Sequence, residues 1–291
     1  MALTVVVVAQ GEMGAGIAQR LHERGARVLT SLKGRSAASA KRAAAAGMEP
    51  IEHDARLVAD ADFVLSIIPP GEAVPFAQRL APVLNASANK PLFMECNAIS
   101  PARVKEVETI LASTACPFVD GGIIGGPPTP GTSGARIYVA GPLAARAMAL
   151  RDYGLDIRTV EGGIGAASAL KCCYAALTKG SQALGIALIL GAMRSGVSQT
   201  LRQELGESQP ALHEYIVTRV PNVYRKAYRW VAEMQEIAEH LGSTADPAAG
   251  DIFRGMARLY ERLGEGDKIA LLDAFLERSV VSAVPDLPVR A

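Results

Sequence analysis

The chain has 291 residues, which is enough for a sizeable hydrophobic core and favours two domains over one. Its 30 basic and 29 acidic residues give a net charge of +1, which excludes the strongly charged surfaces that gather nucleic acid or anionic membranes. We therefore expect neither nucleic acid nor a membrane as a ligand.

No targeting segment, membrane span or metal site is expected. The first apolar run, "LTVVVV", lacks a basic leader, and the longest apolar helical stretch, residues 183–193, falls short of the roughly 20 residues that span a bilayer. The four cysteines show no CxxC spacing and the four histidines are scattered, which argues against a disulfide framework or a metal cluster. These features predict a cytoplasmic protein.

Short β-branched runs alternate with alanine-rich helical stretches up to about residue 142. This alternation predicts a doubly wound, mostly parallel sheet in an α/β domain. In chain order, the predicted strands are "LTVVVVA", "ARVLTSL", "ADFVLSIIP", "PLFMECN", "PFVDGGI" and "ARIYVAG".

The character of the sequence changes near residue 160. From about Ala166 onward no strand-like run remains, and helical periodicity continues to "LLDAFLERSV". We predict two domains, residues 1–160 with the sheet and residues 161–291 entirely helical, joined by a long interdomain helix.

A phosphate-binding turn is predicted after the first strand. The pattern Ala9-x-Gly11-x-x-Gly14 is a variant of GxGxxG in a strand, turn and helix context. Gly11 would let the backbone approach a pyrophosphate, and Gly14 would let the helix pack closely on the strand. The turn predicts a Rossmann dinucleotide-binding domain, with a tight turn that binds nothing as the alternative. The cofactor-binding residues predicted here are Ala9, Gly11, Glu12, Met13 and Gly14.

The end of the second strand indicates which dinucleotide binds. NAD sites usually place an acidic side chain there, whereas "TSLKGRSAAS", residues 30–39, contains none. Lys33, Arg35 and Ser36 instead form a plausible 2′-phosphate pocket, which favours NADP and leaves NAD possible. A solvated basic turn is the alternative.

Lys171 lies in an otherwise apolar helical pattern, "GGIGAASALKCCYAALTKG". Because a buried ammonium is disfavoured without a partner, this lysine is an exposed residue, a structural ion-pair partner or a base. The sequence position alone does not choose among these three roles.

Several motifs together resemble the β-hydroxyacid dehydrogenase superfamily, which includes 3-hydroxyisobutyrate and 6-phosphogluconate dehydrogenases. "ALKCCYAALTKG" and "AYRWVAEMQEIAEHLG" are similar to a 6-phosphogluconate dehydrogenase-like subgroup with a distinct helical C-terminal domain of unknown function. The resemblance is carried by "GEMG" at 11–14, "ECNAISP" at 95–101, "FVDGGIIGGPPTPGTSGARIYVAGP", GxxGxxxxxK ending at Lys171, and "LGEGD" at 263–267.

The resemblance implies a homodimeric oxidoreductase that moves a hydride between NADP and a β-hydroxy acid or the corresponding aldehyde or ketone. Lys171 would be the general acid and base, because an amine with a lowered pKa takes up the hydroxyl proton and returns it in the reverse reaction. Tyr174, one turn later, would assist it. The resemblance also implies cofactor contacts at Ile68, Pro69 and Asn97. The residues predicted to bind this small-molecule substrate are Gly122, Ile123, Ile124, Gly125, Gly126, Thr178 and Trp230.

Three positions depart from the family pattern, and the first is Ala9, which replaces the first glycine of the dinucleotide turn. Ile124 stands where the family has a serine, and Ala175 stands where it has an asparagine. The paired isoleucines 123 and 124 favour a less polar substrate, such as an aryl or branched β-hydroxy acid. Two alternatives remain open: an imine reductase, although imine reductases generally lack the lysine, and a dinucleotide-binding sensor without catalytic activity.

Overall fold

The computed structural model describes residues 2–8, 10–129, 132, 134–224 and 227–281. The chain separates into two compact units, residues 1–174 and 175–291. The domain boundary predicted at residue 160 lies just before helix α7 (Ala166–Arg194), whereas the two units divide inside this helix.

The first unit is built on one eight-stranded sheet. The spatial order of its strands is β3-β2-β1-β4-β5-β6-β7-β8. Neighbouring strands from β3 to β6 are parallel, β7 is antiparallel to β6, and β8 is parallel to β7. The strands are β1 (Thr4–Val8), β2 (Arg27–Thr30), β3 (Glu49–Pro50), β4 (Phe63–Ser66), β5 (Leu92–Glu95), β6 (Phe118–Ile124), β7 (Arg136–Ala140) and β8 (Asp156–Thr159).

Helices cover both faces of this sheet, which explains the unbroken valine run of β1. Val5 and Val7 belong to one buried cluster with residues of α1 and α6, whereas Val6 and Val8 belong to a second with residues of α4 and α5. A strand buried on both faces reads as continuously apolar because its alternating side chains all leave water. The helices are α1 (Glu12–Glu23), α2 (Ala37–Ala45), α3 (Asp54–Ala59), α4 (Ala73–Ala86), α5 (Pro101–Ala112) and α6 (Ala144–Ala147).

Among its described residues, the second unit contains the later part of α7 and five further α-helices. Helices α10 and α11 pack closely, and a Cβ atom on Gly242 would lie 3.3 Å from the Cα of Gly250. Glycine at this crossing lets the two backbones approach. The five helices are α8 (Ser198–Ser208), α9 (Pro210–Arg219), α10 (Ala227–Thr244), α11 (Pro247–Glu261) and α12 (Lys268–Val281).

The predicted fold class is confirmed: a Rossmann-type sheet domain is followed by a helical region, and a 29-residue helix begins in one unit and ends in the other. All six predicted strands are present, and the sequence reading missed β3 and β8. β3 has only two residues, and in β8 only Ile157 is buried, so neither strand shows a clear hydrophobic pattern.

Helix α7 is longer than the apolar stretch considered in the sequence. Within the described part of the chain it is the one helix whose length and composition would allow it to cross a membrane, with a mean hydropathy of 1.3 over its most apolar window. In the structure 44% of that window is buried inside the protein. Core helices of soluble proteins meet the same test, so α7 is weak evidence for a membrane span.

Candidate active site

The turn between β1 and α1 has the geometry of an anion site. Gly11 precedes α1 with extended backbone angles, and no side chain caps the helix. A Cβ atom on Gly11 would meet nothing within 4 Å, so its outer side is open. The first N–H groups of a helix lack partners within the helix and attract negative charge. Of the other predicted residues here, Glu12 is exposed, Met13 is partly buried, Gly14 is buried, and Ala9 lies outside the described residues.

Gly16 brings a second segment to this turn. A Cβ atom at this position would lie 2.8 Å from the carbonyl oxygen of Pro128. Because real Cβ atoms do not approach an oxygen so closely, a larger residue would push Pro128 away from α1. The glycine-rich segment after β6 therefore lies against the start of α1.

Gln10 is a structural element of the turn that sequence reasoning missed. Its buried side chain donates from Nε2 to the hydroxyl oxygen of Thr30 and, at 2.9 Å, to the carbonyl oxygen of Ser31. The Oε1 atom of Gln10 is buried without a hydrogen-bond partner. The amide thus ties the turn after β1 to the end of β2, where the sequence places the ribose end of a dinucleotide.

The basic turn after β2 lies open to solvent. Lys33, Arg35 and Ser36 are all exposed, and the Ser36 side chain caps α2 by accepting a hydrogen bond from the N–H of Ser39. Arg42, which the sequence reading did not select, donates from Nε to the carbonyl oxygen of Gln10 at 2.7 Å. Three cations therefore surround the turn, and its residues 30–39 include no carboxylate.

Asn97 joins the carboxyl ends of β4 and β5. Its Oδ1 accepts a hydrogen bond of 2.5 Å from the N–H of Ile68, and its Nδ2 donates to the hydroxyl oxygen of Ser66 at 2.9 Å. The side chain is buried, so a direct bond to a cofactor would replace one of these contacts. Pro69 follows Ile68 and precedes the turn into α4.

Glu95, directly before this segment, is a fully buried carboxyl group. One oxygen accepts from the N–H of Asn97 at 2.9 Å, and the other has no hydrogen-bond partner. Burial raises the pKa of Glu95 to about 8, with a smaller contribution from Asp120, while the hydrogen bonds of Asn97 and Ser66 lower it. Glu95 is therefore largely protonated at neutral pH.

Two adjacent glycines in β6 allow close contacts on opposite faces of the strand. A Cβ atom on Gly121 would lie 2.8 Å from the sulfur of Cys96, and one on Gly122 would lie 2.6 Å from the carbonyl oxygen of Ala167 in α7. The strand thus touches the segment after β5 on one side and the first turn of α7 on the other.

The rest of the glycine-rich segment leaves the sheet at Gly125. Gly125 has a φ of +114°, which favours glycine, and Gly126 is exposed with open space where a side chain would be. The side chains of Ile123 and Ile124 are buried, and that of Ile123 belongs to a core cluster. What Ile123 offers the site is its backbone carbonyl.

Lys171 reaches the carboxyl end of β6. Its Nζ donates a hydrogen bond of 2.5 Å to the carbonyl oxygen of Ile123, and the residue is half-buried. Tyr174, one turn further along α7, is 45% exposed, and Ala175 is buried. Since β1, β4, β5 and β6 are parallel, Lys171 lies at the edge of the sheet where dinucleotides bind.

The start of α7 is held by Asp120, a residue that sequence reasoning missed. Its buried carboxylate accepts hydrogen bonds of 2.9 Å from the N–H groups of Gly165 and Ala167, and one of 2.6 Å from the hydroxyl of Ser168. Lys171 follows Ser168 by one helical turn, so the same carboxylate anchors the helix that carries the lysine.

Thr178 and Trp230, both predicted to bind substrate, belong to the second unit. The carbonyl oxygen of Thr178 accepts a hydrogen bond of 2.8 Å from the hydroxyl of Tyr215. The ring of Trp230 packs edge-on against Tyr260 and lies 5.4 Å from Nζ of Lys179, which forms an ion pair with Glu233. Trp230 therefore packs within the second unit. Its role in binding substrate stays a prediction.

The second unit also contains a cavity of about 420 Å³. Tyr224, Tyr228 and Tyr260 contribute to its wall, and Glu261 is its one ionisable carboxyl group among the described residues. Across the same described residues, no group of three or more His, Cys, Asp or Glu side chains is placed to hold a metal ion.

Comparison with known families gives two matches. The NAD binding domain of 6-phosphogluconate dehydrogenase matches residues 4–150, and a domain of unknown function matches residues 192–263. No curated protein matches the chain.

Solved structures with the same fold cover nearly the whole chain. A conserved protein of unknown function, reported as structurally similar to 3-hydroxyacid dehydrogenases, is 28% identical over 89% of this chain and 99% of that chain, with a TM-score of 0.65. 3-Hydroxyisobutyrate dehydrogenase of Mycobacterium tuberculosis, solved with L-serine, is 21% identical over 94% of this chain and 99% of that chain, with a TM-score of 0.72. A reductive aminase from Aspergillus terreus, solved with NADPH4, cyclohexanone and allyl amine, is 18% identical over 94% of this chain and 100% of that chain, with a TM-score of 0.56. The last two likenesses show a shared fold.

We predict that Glu95→Gln flattens the pH dependence of stability. In the folded protein Glu95 keeps its proton up to about pH 8, whereas the unfolded chain loses it above a pKa of 4.5. Its contribution to stability is therefore complete below pH 4.5 and is lost as the pH rises to about 8. The side chain of the variant cannot ionise. Across this window its free energy of unfolding should therefore rise relative to that of the parent protein by up to about 1.4 kcal/mol per pH unit.

Chemical denaturation at pH values across the window measures this difference. Glu52→Gln, at an exposed position, is the control and should leave the slope unchanged. Parallel pH profiles for the parent protein and Glu95→Gln would contradict the prediction.

Proposed function

Because the chain belongs to the family of the NAD binding domain of 6-phosphogluconate dehydrogenase, we propose that it is an oxidoreductase that moves a hydride between NADP(H) and a β-hydroxy acid or the corresponding aldehyde or ketone. Its first unit is a nicotinamide dinucleotide-binding domain. The observation that carries the proposal is the position of Lys171, whose Nζ lies 2.5 Å from an oxygen atom at the carboxyl end of β6.

The described residues fit a nicotinamide dinucleotide. The open side of Gly11 and the start of α1, which no side chain caps, would hold the pyrophosphate. Lys33, Arg35 and Ser36 would hold a 2′-phosphate, and Arg42 adds a third cation fixed to the turn by its bond to Gln10. When bound, the nicotinamide supplies the acceptor or donor of the hydride.

Lys171 has the position for proton transfer. It would take the proton from the substrate hydroxyl during oxidation and return it to the carbonyl oxygen during reduction. The amine of Lys171 donates a hydrogen bond to the carbonyl oxygen of Ile123. A bound substrate would bring its own oxygen to the amine and replace that carbonyl as the hydrogen-bond acceptor. Tyr174, on the following turn of the same helix, would donate a hydrogen bond from its hydroxyl to the reacting oxygen.

The substrate would lie along the segment that follows β6. The backbone of Gly122, Gly125 and Gly126 would contact it, and the apolar side chain of Ile124 lies on the same face of β6 as Gly122. An aryl or branched β-hydroxy acid suits such an apolar surface. The roles predicted for Thr178 and Trp230 toward substrate stay separate predictions, since both residues belong to the second unit.

Lysine also separates this proposal from its two alternatives. The fold is shared with a reductive aminase, but imine reductases generally lack a lysine at the position of Lys171. A sensor without catalytic activity would need no amine at the carboxyl edge of the sheet. The sensor predicts that replacing Lys171 leaves the biological activity intact, and the imine reductase predicts turnover of imines in place of β-hydroxy acids.

We further propose a cytoplasmic homodimer. The four cysteines are free thiols, which suits a reducing compartment. Leu177 and Leu184, seven residues apart on α7, are 69% and 60% exposed. Leucines at this spacing share one face of a helix, and such an exposed apolar face is typical of a protein interface.

For cofactor choice, we predict that Arg35→Ala weakens NADPH binding about 10- to 100-fold, since a charge-assisted bond contributes about 1.5 to 3 kcal/mol. NADH, which lacks the 2′-phosphate, should bind with nearly unchanged affinity. Fluorescence titration with both cofactors measures the two dissociation constants. Arg24→Ala is the control, because this exposed arginine follows α1 at the opposite edge of the sheet. An equal loss for both cofactors would overturn the assignment of Arg35.

For catalysis, we predict that Lys171→Met lowers turnover by roughly 100- to 10,000-fold, as expected for the loss of a general acid and base. Methionine retains the apolar stem, so the melting temperature and the NADPH dissociation constant should change little. Single-turnover hydride transfer with a panel of β-hydroxy acids measures the effect. Loss of several kcal/mol of stability with full activity per folded molecule would instead identify a structural ion pair.

For assembly, we predict that sedimentation gives a species of twice the chain mass of 30.5 kDa at micromolar concentration. The double variant Leu177→Lys/Leu184→Lys should shift it to the monomer, because it places charges on the apolar face of α7. Leu212→Lys, at another exposed leucine, is the control and should remain dimeric. A parent protein that sediments only as a monomer would refute the proposed dimer.

A further inference from the structure

We infer that Asp120 is the positioning residue for Lys171: its carboxylate fixes the start of α7 on strand β6 and thereby sets the location of the lysine amine. The inference rests on the proposed function, because that function gives Lys171 the proton transfer. Asp120 itself would touch neither substrate nor cofactor.

The contacts of Asp120 are those of a helix anchor. Its Oδ2 accepts from the N–H groups of Gly165, Ala167 and Ser168 at 2.9, 2.9 and 3.2 Å, and its Oδ1 accepts from the Ser168 hydroxyl at 2.6 Å. The first N–H groups of a helix have no partner within the helix. One carboxylate from a neighbouring strand therefore satisfies most of the donors at the start of α7.

Strand and helix meet at a second point only three residues further along each element. Lys171, three residues after Ser168, donates to the carbonyl oxygen of Ile123, three residues after Asp120. Between these points Gly122 presses on the helix, since a Cβ atom there would lie 3.2 Å from the Cβ of Lys171. Strand β6 therefore contacts α7 both before Gly122, through Asp120, and after it, through the carbonyl of Ile123. These two contacts fix the direction of the lysine side chain.

The ionisation state of Asp120 depends on the neighbouring carboxyl group of Glu95. Asp120 and Glu95 are paired in register on adjacent parallel strands, and both are fully buried. Two adjacent buried carboxyl groups do not readily ionise together. Burial raises the pKa of both groups, but four hydrogen bonds favour the ionised form of Asp120, whereas Glu95 has one oxygen without a partner. Asp120 is therefore the carboxylate of the pair, and its charge complements the N-terminal end of α7.

The substitution Asp120→Asn tests the inference because it keeps the shape of the side chain. An amide offers one acceptor oxygen, and its NH₂ group would face the N–H donors of α7. We expect the helix start to shift, the amine to leave the Ile123 carbonyl, and turnover to fall about 10- to 100-fold, as for a misplaced catalytic group. The NADPH dissociation constant should stay unchanged, because the dinucleotide turn lies on other strands.

A readout that needs no activity follows the amine directly. Competitive acetylation with acetic anhydride, analysed by peptide mass spectrometry, gives the reactivity of Lys171 relative to the exposed Lys41. In Asp120→Asn this ratio should rise several-fold. Asp246→Asn is the matched control, because Asp246 caps α11 by accepting from the N–H of Ala248 at 2.7 Å. The control makes the same change at the exposed start of another helix, and it should keep both the parent ratio and the parent turnover.

An unchanged Lys171 ratio in Asp120→Asn would overturn the inference, whatever happens to turnover. If this variant does not fold, Ser168→Ala removes one of the four hydrogen bonds and should give a smaller rise in the same ratio. A parent protein that turns over no substrate, but whose Lys171 ratio responds to Asp120→Asn, would contradict the proposed function and leave the positioning role in place.

Discussion

The close approach of β6 to its neighbours on both faces is the constraint on which the candidate site depends. Gly121 lies against Cys96 and Gly122 against Ala167, at distances that leave no room for side chains. Glycine weakens the interior of a strand, so two in succession need compensation. The buried hydrogen bonds of Asp120 to α7 provide it, because they join the strand to the helix at the point of closest approach.

The dinucleotide end of the site is stabilised by a different network. Gln10 connects the turn after β1 to the end of β2, and Arg42 connects α2 back to Gln10. This network and the anchor of α7 share no residue. Substitutions at one should therefore change affinity for the dinucleotide, and substitutions at the other should change the chemical step.

Local patterns in the sequence predicted the sheet, the helical second part and the family correctly, because each depends on hydrophobic periodicity or on residues close together in the chain. Gln10 and Asp120 escaped prediction for a physical reason. Asp120 binds backbone N–H groups 45 to 48 residues away, and backbone groups leave no mark in the sequence. Asn97 and Ile123 were selected for ligand contacts, and the structure shows that the Asn97 amide bonds to protein and that Ile123 offers its carbonyl.

The position of β1 in the sheet has a consequence for the folding of the chain. β1 lies between β2 and β4, so both of its edges have a neighbouring strand only after residues 63–66 have been synthesised. Until then "TVVVV" is an uncharged, strand-forming segment with free backbone groups, the type of segment from which cross-β aggregates grow. A central strand that is paired late therefore exposes an aggregation-prone segment while the chain is incomplete, although the finished sheet buries that segment.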